Sequence, residues 1–251
     1  MTPLPDALAE ARRIVAEAER RGLILRLLGG LAVCLHSPSA QHRSLARPYP
    51  DLDFVYPGKR GDALETFFPL MGYEANKPFN LFNGDRRLLF FDVAPERQVD
   101  VFVGKFHMSH NLPITDRMAL EPLTVPLAEL LLTKLQIAQL NEKDVRDLCA
   151  LLLDHPLGDG DHETFNLPFL ARLCGDDWGL WKTVSVNLQK VRDFCDAYES
   201  LETGQKLTVI ERVTVLRAAL DAAPKTLRWK LRDKVGERVQ WYELPEEVKR
   251  G

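Results

Sequence analysis

The sequence predicts an α+β protein in two parts: a first part with a mixed sheet flanked by helices, and a second that is all-helical. Up to about residue 120, short apolar runs bounded by Gly, Pro and Asp alternate with helix-like segments. After Pro126 almost every segment carries helical periodicity instead. The 251 residues, 45% hydrophobic and 27% charged, suffice for one large domain or two small ones, each with a core. The change of character puts the boundary between Glu121 and Pro126, giving domains 1–122 and 123–251.

The elements follow in order. Asp6 to Arg21 is Ala-rich with alternating charges and reads as a helix that Gly22 stops. Leu23 to Leu28 is an apolar run read as a buried strand, broken by Gly29-Gly30 before a helix from Leu31 to His36. Ser37 to Pro50, with three prolines, is expected to be loop. Asp51 to Tyr56 alternates as a strand does, and Gly61 to Met71 fits an amphipathic helix. Arg87 to Val93 and Gln98 to Val103 form an expected hairpin through Ala94–Arg97. Helices are then expected over Leu127–Leu140, Glu142–Leu153, Leu167–Cys174, Trp178–Tyr198, Val209–Ala222 and Thr226–Val235.

Net charge is −3, with 15 Lys/Arg against 14 Asp/Glu up to residue 120 and 18 against 22 beyond it. A globally basic nucleic-acid binder is therefore disfavoured, and any polyanion site must be a local patch. No apolar run reaches the roughly 18 residues of a membrane span. The first residues lack a basic stretch followed by an apolar core, so no secretion signal is expected. Cys34, Cys149, Cys174 and Cys195 are scattered through helix-like segments. They read as free thiols in a reducing cytoplasm.

Three elements carry chemistry. Asp51 and Asp53 lie two apart on the expected strand, so both side chains leave one face. Such a pair repels unless neutralised, and hard carboxylate oxygens select magnesium or manganese. Gly29-Gly30 stands between a strand and a helix start, where free amides and the helix dipole favour phosphate. Asp100 interrupts an otherwise apolar strand, Gln-Val-Asp-Val-Phe-Val. Read singly, each has an ordinary structural alternative: an exposed strand end, a plain turn, simple alternation.

Taken in order, Gly29-Gly30, Asp51-Leu52-Asp53 and Asp100 resemble the nucleotidyltransferase superfamily related to DNA polymerase beta. Lys134 and Asp144, within Leu130 to Leu153, and Arg47, four residues before Asp51, look like the corresponding region of AbiEii-type nucleotidyltransferases, a group that includes type IV toxins. The similarity covers about residues 20–155. It implies a nucleotidyltransferase-fold first domain and cytoplasmic, magnesium- or manganese-dependent transfer of a nucleoside monophosphate from an NTP. Asp51, Asp53 and Asp100 are the implied metal ligands, with Asp100 also the general base. Gly29, Gly30, Arg47 and Lys134 are implied to contact the nucleotide phosphates, with Asp144 supporting the site. RNA, including the tRNA 3′ end, and a small molecule of the aminoglycoside kind are the two acceptor classes. An antitoxin protein is a further implied partner, and no membrane is involved. A nucleotide-binding module whose catalysis has lapsed is the alternative from another class.

Weaker signals complete the reading. His107 and His110 stand three apart but lack companions for a zinc site. The Leu157–Asp161 loop between His155 and His162 lacks EF-hand spacing. Residues 224–238 hold six basic residues around Trp229, read as a solvated helix anchored by that ring rather than as a nucleic-acid contact. Trp178 and Trp181 are expected in packing.

Overall fold

The computed structural model describes residues 1–59, 61–92 and 97–244. The connection expected at Ala94–Arg97 lies, up to Glu96, outside them. The chain forms two compact units: residues 1–36, 47–107 and 111–126, and residues 37–46, 108–110 and 127–251.

The first unit is α+β. Helix α1 (Ala7–Arg20) is capped by the Asp6 carboxylate, which accepts from the Ala9 amide. The expected strand at Leu23–Leu28 shortens to β1 (Arg26–Leu28), and α2 (Gly29–His36) starts at Gly29 itself rather than at Leu31. Next come β2 (Leu52–Tyr56), α3 (Asp62–Met71), β3 (Glu74–Ala75), α4 (Lys77–Asn83), β4 (Arg87–Asp92) and β5 (Arg97–Val103). A two-strand ladder, β6 (Phe106–His107) with β7 (Asn111–Leu112), follows.

The sheet order is β1-β2-β5-β4-β3, with β2 parallel to β5 and the other pairs antiparallel. Leu123 and Val125 add hydrogen bonds to Leu27 beyond β1. That pairing keeps the chain with the sheet up to Pro126, four residues past the expected end of the first domain. One sheet face carries Leu27, Phe54, Val101 and Leu88 in a row, all buried, with Phe90 on the same face. Phe68 of α3 stacks on Phe90 at 4.4 Å and tilts against Phe54 at 6.4 Å, which seats the helix on that face. From α1, Glu10 accepts from the Tyr73 hydroxyl and pairs with Arg13, which reaches the Met71 carbonyl. Burial and these bonds push the Tyr73 hydroxyl well above its usual pKa.

The second unit is helical, with α5 (Leu127–Leu135), α6 (Glu142–Asp154), α7 (Leu167–Asp176), α8 (Trp178–Ala197), α9 (Thr203–Ala222) and α10 (Leu227–Val235). A short parallel ladder, β8 (Leu157–Gly158) with β9 (Phe165–Asn166), stands between α6 and α7. Residues 37–46, expected to be plain loop, contain a 3-10 turn at Pro38–Gln41. This segment is tied down by Ser39, whose amide and hydroxyl both donate to Asp154, and by Tyr198, whose hydroxyl donates to the Ser44 carbonyl. No helix among the described residues is long and apolar enough to cross a membrane.

Candidate functional site

Strand register decides what stands together. Leu28, Asp53, Asp100 and Leu89 are paired across β1, β2, β5 and β4, so their side chains leave one face, opposite the face α3 covers. Asp53 and Asp100 are direct neighbours on parallel strands. Asp51 lies just before β2, exposed, and not inside the strand as expected.

Gly29 explains why the first element must be glycine. Its φ is +71°, the left-handed region, and a Cβ there would collide with Asp53 Oδ2 and lie 2.8 Å from its Cγ. The Asp53 carboxylate therefore rests against the first residue of α2, where the helix dipole stabilises negative charge. Gly30 makes room for Arg47: a Cβ there would come within 3.0 Å of the guanidinium carbon and 3.1 Å of the Tyr49 ring. Arg47 lies over the Tyr49 ring at 4.2 Å and donates to the Pro48 carbonyl. So the structure brings Gly29, Gly30, Arg47, Asp53 and Asp100 into one unit on adjoining elements.

Asp100 is 4% exposed and held by a residue the sequence reading missed. Arg87, at the start of β4, donates from Nε to Asp100 Oδ1 at 2.7 Å and pairs through Nη2 with Oδ2, a two-point ion pair. Arg87 pairs in register with Phe102, so it sits diagonal to Asp100 on the same face, and its guanidinium lies 5.5 Å from the Phe102 ring centre. A basic residue opening the strand that pairs with the Asp100 strand was the available signal. Burial pushes the Asp100 pKa up, Arg87 pulls it down, and the Asp51 charge pushes it up again. The net direction is upward.

The fit to a hard divalent cation is mixed. Carboxylate oxygens are the right donors, and Asp51, just before β2, is two residues from Asp53. Both Asp100 oxygens, however, are engaged by Arg87, and no group of three or more His, Cys, Asp or Glu suited to a metal occurs among the described residues. The expected three-carboxylate set is thus not assembled in this arrangement.

Lys134 and Asp144 lie in the second unit and form a cluster of their own. Lys134 Nζ stands 2.9 Å from Asp144 Oδ1 and 2.8 Å from Asp147 Oδ2. All three are buried, so the two carboxylates face one cation away from solvent. Burial lowers the lysine pKa, but the facing Asp147 and Asp144 more than reverse this, and it ends above the usual lysine value.

The weaker signals separate. His107 is half-buried in β6, whereas His110 is buried with its Nε2 2.8 Å from Thr183 Oγ1. Trp229 is buried against Trp181 at 5.2 Å, while Arg228, Lys230 and Lys234 of α10 are exposed. Cys149 and Cys195, unremarkable in sequence, meet in the core of the second unit with sulfurs 3.4 Å apart.

No family model matches the chain, and no curated protein matches it either. Solved structures similar to it include the following two. One is an antigenic nucleotidyltransferase-like protein from Paracoccidioides brasiliensis, 15% identical, with 90% of this chain and 96% of that one covered and a TM-score of 0.41. The other is the antibiotic-resistance factor ANT(2'')-Ia, 16% identical, with 92% and 97% covered and a TM-score of 0.38.

Proposed function

We propose that the chain transfers a nucleoside monophosphate from an NTP to a hydroxyl acceptor. One observation carries the reading: Asp53 and Asp100 stand side by side in register, with the Asp53 carboxylate against Gly29 at the start of α2. In the proposed step the acceptor oxygen attacks the α-phosphorus in line, its proton passes to Asp100, and the α–β bond breaks to release pyrophosphate. Asp100 suits this because its pKa is raised while Arg87 still favours the ionised form. The Gly29 and Gly30 amides and Arg47 hold the phosphates. Asp51 and Asp53 would hold a magnesium or manganese ion brought with the triphosphate, which would supply neutralisation of the phosphate charge. Lys134 is already committed to Asp144 and Asp147, so a phosphate contact from it requires breaking both ion pairs. We assign it and Asp144 first to the support of α5 and α6.

One observation favours a second reading. An Asp100 held at both oxygens is what a nucleotide-binding module without catalysis would keep. Incubation with each α-labelled NTP, magnesium and, in separate reactions, total tRNA, aminoglycosides and protein distinguishes the two. Labelled product in the tRNA reaction supports a toxin-like enzyme with RNA acceptors and gives reason to search for an antitoxin. Product with aminoglycosides supports the small-molecule reading. NTP binding with no product in any reaction supports the lapsed module.

A further inference from the structure

The β4–β5 hairpin carries a second feature that the transfer reading does not use. At the end of the hairpin, Asp85, Arg86, Val103, Gly104, Lys105, His107 and Asn111 line a pocket of about 330 Å³. Its frame is fixed by backbone. Gly104, at φ +72°, donates to the Tyr56 carbonyl and accepts from the Thr115 hydroxyl. Val103 donates to the Arg86 carbonyl, and Arg86 to that of Asn83. Around this frame stand two cationic side chains, Arg86 and Lys105, with the His107 imidazole and the Asn111 amide beside them. The opposing charge is Asp85, 3.9 Å from Arg86, in a pair so exposed that it is worth little.

The lining suits an anion with several acceptor oxygens: two exposed cations, the Asn111 amide, and room for more than a bare ion. The same charge repels a polycationic acceptor. The pocket neighbours the proposed chemistry in sequence only: Val103 follows Asp100 by three residues, so strand alternation sends its side chain to the opposite sheet face.

We propose that this pocket binds a phosphate group of a polynucleotide acceptor, which names the acceptor class for the transfer reading and in that respect rests on it. A local site of this kind is what a chain of net charge −3 requires to hold a polyanion. Binding, rather than turnover, tests it. The wild-type chain and the double variant Arg86→Glu/Lys105→Glu are titrated with a fluorescent single-stranded oligoribonucleotide, with inorganic phosphate, and separately with an NTP. Both side chains are exposed, so circular dichroism of the variant is expected to match wild type. The expected result is oligonucleotide binding weakened at least tenfold in the variant, with a shallower salt dependence and unchanged NTP affinity. Equal oligonucleotide affinity in both proteins overturns the proposal. Binding of inorganic phosphate without oligonucleotide affinity overturns the polynucleotide assignment. A wild-type chain that binds no NTP counts against the transfer reading, and the oligonucleotide titration still decides the pocket.

Discussion

At the scale of the residue, the site depends on two glycines for different reasons. Gly29 is needed for both its backbone and its missing side chain, since φ is +71° and Asp53 fills the space a Cβ would take. Gly29→Ala is therefore expected to cost about 1–3 kcal/mol of stability, read by urea denaturation, and to displace the Asp53 carboxylate. An alanine variant as stable as wild type contradicts the described geometry. Asp100 gives a pH signature. Its folded pKa is raised above the ordinary 3.8, so the native state holds the proton more tightly than the unfolded chain does. Its contribution to stability is thus present at low pH and is lost as pH rises from 3.8 through the folded value. Asp100→Asn is expected to flatten this part of the stability–pH curve. If Asp100 accepts the proton, the same variant slows transfer by roughly 10²–10⁴-fold. A curve that keeps its slope in the variant assigns the titration to another group.

At the scale of the element, much was legible. Gly29-Gly30 does end a buried strand, Asp53 does lie on the next one, and Asp100 does interrupt an apolar strand that pairs with it. These survive because each rests on local chemistry: glycine at positive φ, alternation on a pleated face, a charge within an apolar run. What was missed depends on contacts distant in sequence or on elements too short to show a period. β3 has two residues, and α4 has seven with Pro78 at its start and an Asn cap at Asn76. The segment 37–46 looked like loop because its order comes from Asp154 and Tyr198, more than a hundred residues away. Arg87 was passed over because only the hairpin register shows that it faces Asp100. In the helical part, Lys134 is the element-scale test. Lys134→Met leaves Asp144 and Asp147 buried without their cation, and is expected to cost about 3–5 kcal/mol. Thermal melting checks this. A melting temperature within a degree or two of wild type contradicts the buried triad.

At the scale of the whole molecule, the chain divides its chemistry between two compact units. The first places Asp53, Asp100 and Arg87 on one face of a mixed sheet and also contains Gly29, Gly30 and Arg47. The second holds a buried lysine triad and a helical core in which all four tryptophans pack in one chain of ring contacts. A net charge of −3 gives neither unit a general affinity for polyanions, so substrate choice falls to local groups. The carboxylate pair is the centre of the account, and Asp53 is the member that rests against Gly29 at the start of α2. Single-turnover transfer from an α-labelled NTP in the presence of magnesium, compared between wild type and Asp53→Asn, tests it most directly. The account predicts label on the acceptor with wild type and a loss of at least a hundredfold with the variant, roughly 3 kcal/mol of transition-state stabilisation. Transfer by Asp53→Asn at the wild-type rate would contradict it.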